Sequence, residues 1–315
     1  MIDWNEILLK NEKEVKEDPT SCKANFRVGV THYELEHYKK AIHYLKRAIK
    51  LNPNFVSAYK YLGFVYINLE RFEDAITAYK QAIKLDPNDA ELYVNLGLSY
   101  GNLKYCEKAI LTIKQAIKLA PYFSEYYYYL GCIYDSFKRY KDAINILKQV
   151  IKKDSQFFSA HYLLSGIYGR LERYEESIDI CKSLIQVDFN DAVWKPDYSI
   201  PYNDLGRGYF KLGRYEEAIT SCKKAIKLDS DSKYPYKNIG EVYNELKHYK
   251  EAIISFKKAI KLDPNYSMAY YGLGMSYILN SNKESAFKIY ESLKKLDQDL
   301  AQKLYDFIYK NRNKS

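Results

Sequence analysis

The side chains that could support catalysis are scattered along this chain rather than gathered into motifs. None of its five histidines belongs to an HExxH motif or to a pair spaced for metal binding; they are His32, His37, His43, His161 and His248. Its five cysteines include no CxxC pair; they are Cys22, Cys106, Cys132, Cys181 and Cys222. No glycine-rich phosphate loop occurs either. We therefore predict no catalytic residue, no metal site and no cofactor, and we expect that the protein is not an enzyme.

The composition indicates a folded chain built mainly from long helices. Of its 315 residues, 47% are hydrophobic and 28% are charged, whereas glycine and proline number only 13 and 8. No apolar stretch approaches the roughly 18 residues that a membrane span needs. Because an odd, dispersed set of cysteines fits a reducing compartment, we expect a cytoplasmic protein.

The sequence repeats itself with a period of 34 residues. For example, "YLGFVYINLERFEDAITAYKQAIKLDP" from 61 to 87 is followed by the similar "NLGLSYGNLKYCEKAILTIKQAIKLAP" from 95 to 121. We place eight repeats at 22–55, 56–89, 90–123, 124–157, 158–191, 199–232, 233–266 and 267–300. The spacing breaks once, at a seven-residue insertion from 192 to 198. Its Trp194 is either a partner contact or a wedge that fills an irregular junction. A period of this length predicts stacked structural repeats.

Small residues recur within each repeat where two antiparallel helices would cross. The eighth residue is glycine or serine in every repeat, and the twentieth is alanine or serine, which allows two backbones to approach closely. Positions 4, 7, 8 and 11 follow helical spacing and form one inward stripe. Prolines such as Pro53 and Pro87 end the second helix. Each repeat is thus predicted to be a helix-turn-helix.

These residues resemble the tetratricopeptide repeat family, whose pattern has an aromatic residue, Leu-Gly, Tyr, Ala and finally Pro. The resemblance spans 22–300 and departs where Tyr replaces the usual Trp, and in the fifth repeat at His161, Ser165 and Phe189. It implies an all-α fold, a right-handed α-α superhelix of eight helix-turn-helix repeats with a terminal capping helix.

The segments outside the repeats are expected to cap the stack. Residues 1–21 form an N-terminal helical cap, with a helix from Trp4 to Glu17. Residues 301–315 form a C-terminal capping helix and a solvated tail. The apolar stripe of that final helix is Leu300, Leu304, Phe307 and Ile308.

The resemblance also implies a binding surface. In the family, the second, fifth, sixth, ninth, twelfth and thirteenth residues of each first helix line a concave groove; we call these the groove positions. The candidate peptide-binding residues at these places are Tyr61, Phe64, Asn95, Tyr128, Tyr129, Tyr162, Asn203, Arg207, Lys237, Asn238 and Tyr271. Four consecutive tyrosines, 126–129, are distributed around one helix. Tyr127 should face its own repeat and Tyr126 the neighbouring one, while Tyr128 and Tyr129 either line the groove or pack between neighbouring first helices.

The groove positions favour a protein ligand. Their acidic and basic residues balance, which disfavours nucleic acid, because nucleic-acid binding depends on excess positive charge. Aromatic walls and the amides of Asn95 and Asn238 suit an extended peptide. The acidic C-terminal tails of chaperones are not expected, because Phe64, Glu125 and Tyr129 stand where the family's carboxylate-binding residues would lie. We predict a protein-protein interaction scaffold that binds a mixed apolar and polar peptide or a partner helix.

Two alternatives remain open. Regular lysines on the second helices form two ladders, Lys46, Lys80, Lys114, Lys148, Lys182, Lys223 and Lys257, and Lys50, Lys84, Lys118, Lys152, Lys227, Lys261 and Lys295. With a net charge of +9, such ladders could attract nucleic acid or an anionic surface, although they also serve simply to keep a helical stack in solution. The other alternative is a self-assembling scaffold whose groove takes the end of another copy. Binding that weakens steeply with added salt would indicate that the ladders bind the ligand. A molecular mass in solution that rises with protein concentration would indicate self-assembly.

Overall fold

The computed structural model describes residues 3–187 and 197–310. Within these ranges the chain forms eighteen α-helices and no strand, and it divides into two compact units, Met1–Asp154 and Ser155–Ser315. The first unit contains α1 (Trp4–Glu17), α2 (Cys22–Glu34), α3 (Tyr38–Leu51), α4 (Val56–Asn68), α5 (Phe72–Leu85), α6 (Ala90–Asn102), α7 (Cys106–Leu119), α8 (Ser124–Ser136) and α9 (Tyr140–Lys153). The second contains α10 (Phe158–Arg170), α11 (Tyr174–Ile185), α12 (Ser199–Lys211), α13 (Tyr215–Leu228), α14 (Lys233–Glu245), α15 (Tyr249–Leu262), α16 (Ser267–Leu279), α17 (Lys283–Leu293) and α18 (Gln298–Lys310).

The helices follow the predicted repeat. Each first helix, from α2 to α16, begins at the first residue of a repeat, and the second helix of the repeat packs against it. Local capping explains some of these starts: Ser21 Oγ accepts a hydrogen bond from the amide of Ala24 at 3.2 Å, and Asp89 Oδ1 accepts one from Glu91 at 2.9 Å. The all-α helical repeat fold is therefore confirmed.

The crossing between the two helices of a repeat depends on its small residues, as predicted. A Cβ added to Gly97 would lie 2.5 Å from Cγ1 of Ile113, and one added to Gly131 would lie 2.9 Å from Cδ2 of Leu147. The alanines at the twentieth place, such as Ala109, are fully buried. These contacts leave no room for a side chain at Gly97 or Gly131.

The turn inside each repeat has a feature that the sequence did not predict. The fifteenth residue adopts a left-handed backbone conformation in all eight repeats. Only one of these residues is a glycine; they are Glu36, Glu70, Lys104, Lys138, Glu172, Gly213, Lys247 and Ser281. Directly after it, an amide bonds back to a carbonyl five residues earlier, as from His37 to His32 and from Arg71 to Tyr66, both at 2.8 Å. This closes the end of the first helix as a Schellman motif.

The two end helices pack on their neighbours. On α1, the Asn11 amide donates to Thr31 Oγ1 of α2 at 2.9 Å. On α18, Leu304 and Ile308 are buried, but Phe307 is 45% exposed. Within the predicted apolar stripe, Phe307 therefore lies at the edge of the face that Leu304 and Ile308 share. Within the described ranges, no helix is long and apolar enough to cross a membrane. Phe189, Trp194 and the tail 311–315 lie outside the described residues.

Candidate functional site

Aromatic residues at groove positions of α2 and α4 form a cluster in the first compact unit. The ring of Tyr61 lies 5.4 Å from that of Phe26, 6.0 Å from that of Tyr33 and 5.6 Å from that of Phe64, measured between centroids. All four side chains are half-buried, and these contacts are edge-to-face, a favourable geometry for aromatic pairs. Two of the predicted site residues, Tyr61 and Phe64, are thus neighbours in one partly accessible aromatic surface.

The four consecutive tyrosines of α8 are all half-buried and point in different directions. Tyr128 and Tyr129 pair with each other at 5.8 Å between ring centroids. The Tyr127 hydroxyl donates to the carbonyl of Pro121, at the end of the preceding repeat, at 3.1 Å. Burial raises the pKa of Tyr126, and the nearby Glu91 carboxylate raises it further, so Tyr126 lies beside the preceding repeat.

The predicted amide residues use their donors within the chain. Asn95 Nδ2 donates to the Glu91 carbonyl of its own helix at 2.9 Å. Asn238 is 5% exposed, and its Nδ2 donates to Asn203 Oδ1 at 2.8 Å. The structure therefore brings Asn203 and Asn238 together as a link between α12 and α14.

Several charged residues at the groove positions are paired with one another. Lys60 Nζ lies 2.5 Å from Glu91 Oε2 and 3.7 Å from Asp89 Oδ2, and Lys237 Nζ lies 2.7 Å from Glu241 Oε1. Such pairs lower the net field that a charged ligand would meet. The charge balance that the sequence indicated is thus reflected in contacts between individual side chains.

An apolar cavity of about 260 Å³ lies in the second compact unit. Groove positions from three first helices line it, with Phe210 on α12, Asn244 and Glu245 on α14, and Met268, Tyr271 and Met275 on α16. Met268 is 42% exposed at its edge. Asn244 Oδ1 is buried there, with no hydrogen-bond partner among the described residues. Of these residues only Tyr271 is among the predicted peptide-binding residues; methionines at groove positions were a signal in the sequence that the prediction did not use.

A basic cavity of about 300 Å³ lies between α10 and α12. Its lining includes Tyr162, Gly166, Gly169, Arg170, Asp204, Arg207 and Lys211. Asp204 is buried, and its Oδ1 lies 3.3 Å from Nη2 of Arg207. Burial raises the pKa of the Asp204 carboxyl, and the Arg207 charge opposes that rise. The structure thus brings two predicted site residues, Tyr162 and Arg207, into one cavity.

The remaining reactive side chains are placed for packing. Burial raises the pKa of Cys181 and of Cys222 to about 12, so neither thiol is readily ionised near neutral pH. His32 and His161 are buried where other repeats carry aromatic residues. In the part of the chain that the structure describes, no three or more His, Cys, Asp or Glu side chains are grouped so that they could hold a metal ion.

Comparison with protein families detects the same repeat in many parts of the chain. Models described as TPR repeat match 65–104 and 206–247. Models described as tetratricopeptide repeat match 90–123, 130–191, 234–266 and 255–288. A model of the anaphase-promoting complex, cyclosome, subunit 3, matches 5–82. A search of curated proteins found no significant match.

Comparison with solved structures finds chains of similar fold. A tetratricopeptide repeat protein from Parabacteroides merdae is 18% identical, with 81% of this chain and 98% of that chain covered and a TM-score of 0.57. A chain of the APC/C hetero-tetramer Cut9–Hcn1 is 16% identical, with 87% and 52% covered and a TM-score of 0.53. MamA is 26% identical, with 53% and 98% covered and a TM-score of 0.48. The first two show a shared fold.

Proposed function

Because this chain belongs to the tetratricopeptide repeat family, whose fold is a general protein-protein interaction scaffold, we propose that it holds an extended peptide or a partner helix at its groove positions. Proteins of this family are typically non-enzymatic, and the proposed role is binding alone. The ligand presents large apolar side chains together with polar groups.

The apolar cavity is the observation that supports this proposal most. Three successive first helices contribute to it through groove positions, so a ligand bound there would contact three repeats at once. Methionine side chains such as Met268 and Met275 adapt to different apolar partners. An apolar side chain that fills the cavity would gain roughly 25 cal/mol for each Å² of apolar surface removed from water.

Other ligand classes fit these residues less well. An acidic chaperone tail would meet Glu125 and Tyr129 in place of cations, and Lys60 is already paired with Glu91 and Asp89. Nucleic acid would need a continuous excess of cations along the groove positions, whereas Lys60 and Lys237 are each paired with a carboxylate.

A displayed library of short random peptides, selected on the full chain, tests the proposal. We expect selected peptides to share large apolar residues. We expect Met268→Glu to weaken their binding by about tenfold or more, because a carboxylate would be desolvated at the apolar contact. Fluorescence anisotropy with a labelled peptide gives the dissociation constants.

Ile254→Glu provides the matched control. Ile254 is an apolar residue on the second helix α15, 68% exposed, so the same substitution there changes the charge without touching the cavity. Its binding should stay within about twofold of the wild type. Equal losses in both variants, or a failure to select any peptide, would contradict the proposal.

A further inference from the structure

The basic cavity exists because two groove positions of α10 have no side chain. A Cβ added to Gly166 would meet only Arg170 Nη1, at 3.7 Å, so this position faces open space. A Cβ added to Gly169 would lie 3.2 Å from Arg207 Nη2. The first glycine therefore leaves room in the cavity, and the second lets the guanidinium of Arg207 lie close to the helix.

No other repeat combines these two glycines. At the ninth place the other repeats carry Val30, Phe64, Leu98, Cys132, Arg207, Glu241 and Met275. At the twelfth place they carry Tyr33, Ile67, Gly101, Asp135, Phe210, Asn244 and Ile278. Because glycine in a helix interior costs about 1 kcal/mol relative to alanine, two of them on one groove face indicate that the space itself is used.

The charges around this space favour an anion. Three cationic side chains line the cavity, namely Arg170, Arg207 and Lys211, against a single carboxylate, that of Asp204. The buried Asp204 holds Arg207 in place through their ion pair at 3.3 Å. Arg207 and Lys211 remain exposed on the groove face of α12. An anionic ligand would therefore meet a guanidinium of fixed position and a more mobile ammonium.

We propose that the basic cavity binds the phosphoryl group of a phosphorylated residue in the groove peptide; this inference rests on the proposed function. A phosphoryl group carries nearly two negative charges near neutral pH and three acceptor oxygens. It therefore complements several cations better than a carboxylate, with its single negative charge, would. The planar guanidinium of Arg207 can donate two parallel hydrogen bonds to such a group.

The same helix connects this cavity with the apolar one. On α12, Lys211 lines the basic cavity and its sequence neighbour Phe210 lines the apolar cavity. One peptide can therefore place a phosphorylated residue near α10 and α12 and an apolar anchor near α14 and α16. This arrangement makes the partner a peptide whose affinity is raised by phosphorylation.

A library of peptides with a fixed phosphoserine, selected on the full chain, tests the inference. The selected peptide is then synthesised with phosphoserine, serine or glutamate at the fixed position, and its dissociation constants are measured by anisotropy. We expect the phosphoserine form to bind about tenfold or more tightly than the serine form. Inorganic phosphate should compete with the phosphoserine form and not with the serine form.

Three variants test whether the preference for phosphoserine over serine arises at the basic cavity. Lys211→Gln and Gly166→Leu should each reduce it to about twofold or less, the first by removing a cation and the second by filling the space. Gly166→Leu also raises helix propensity, so a thermal melt should show an intact fold. Lys223→Gln, which removes an exposed lysine of the second helix α13, should leave the preference unchanged.

The outcomes separate this inference from the proposed function. If all three forms bind equally while Met268→Glu still weakens them, the inference is wrong and the proposed function stands. Equal affinity of the glutamate and phosphoserine forms would also overturn it, as would a preference that persists in Gly166→Leu. A complete lack of peptide binding would contradict both proposals.

Discussion

His32 is a buried imidazole at a place where the other repeats carry tyrosine. Neither ring nitrogen has a hydrogen-bond partner within the described residues. Glu12 Oε1 of α1 is 3.9 Å from Nε2, and the ring stacks on Tyr44 of α3 at 5.6 Å. Burial lowers the pKa of His32; the charges of Lys40 and His37 lower it further, while Glu12 raises it. The neutral form is therefore the one that fits the fold.

This environment predicts a pH dependence of stability. Because the folded-state pKa of His32 lies below the ordinary value near 6.5, the unfolded chain binds a proton more readily than the folded chain. The free energy of unfolding should thus fall as the pH drops below about 6.5. We expect His32→Tyr to reduce this fall, as measured by urea unfolding at several pH values. His43→Gln, at an exposed position of α3, should retain it. If His32→Tyr leaves the pH profile of stability unchanged, a group other than His32 takes up the proton on unfolding.

Residue types at the groove positions could be predicted from the sequence, but their hydrogen-bond partners could not. Repeat spacing placed Asn203 and Asn238 on neighbouring first helices, yet their mutual bond at 2.8 Å depends on side-chain rotamers. Asn95 likewise bonds back to its own helix, a local alternative open to any asparagine. The basic cavity depends on the space left at Gly166 and Gly169, and both cavities depend on the volume left between the helices. That volume does not follow from residue type alone.

At the scale of the helical element, the turn inside each repeat imposes one backbone conformation on very different residues. Left-handed φ angles between 55° and 63° occur at the seven non-glycine positions. An L-residue in this conformation costs roughly 1–2 kcal/mol. The hydrogen bond that the amide of the following residue donates to a carbonyl at the end of the first helix offsets part of that cost. Glycine would be the usual signal for such a turn, and only Gly213 supplies it. The helix starts could be predicted from the sequence, while the conformation of these turns could not.

This strain predicts a stabilising substitution. In Lys104→Gly, release of the strained φ of 63° should exceed the added flexibility of the unfolded chain, which costs roughly 0.5–1 kcal/mol. We expect a net gain of about 0.5–1 kcal/mol in the free energy of unfolding. Lys114→Gly is the matched control, because Lys114 is an exposed lysine inside α7; it should lose about 1 kcal/mol. Thermal and urea unfolding measure both, and destabilisation in both variants would show that the turn is unstrained.

At the scale of the whole molecule, the period of 34 residues was sufficient to predict the helical repeat. Small residues at the helix crossing and Tyr at the eleventh place recur together. Each of them makes a packing contact that the repeats share. The division into two compact units at Asp154 was not predicted, because the period continues across it unchanged. The periodic pattern of residue types predicts the contacts inside a repeat well. It predicts the packing of one repeat on the next less well.

The lysine ladders are a property of the whole chain, and every one of their fourteen members is exposed. Some lie over tyrosine rings of the next repeat, such as Lys80 at 5.8 Å from the centroid of Tyr100 and Lys182 at 5.6 Å from that of Tyr209. Such contacts secure the alkyl stems while the ammonium groups stay in water. The ladders thus have a structural role that needs no anionic partner.

We therefore expect peptide binding and ladder charge to be independent. Substituting Lys46, Lys80 and Lys114 together by Gln should leave the affinity of a selected peptide within about twofold. Binding of the wild type to a single-stranded RNA homopolymer should be weak and fall steeply with salt, at about 0.7 log units in affinity per log unit of salt for each phosphate contacted. Anisotropy titrations over a range of salt concentrations measure both ligands on both proteins. If the triple variant loses the peptide as strongly as it loses RNA, the ladders rather than the groove positions form the binding surface.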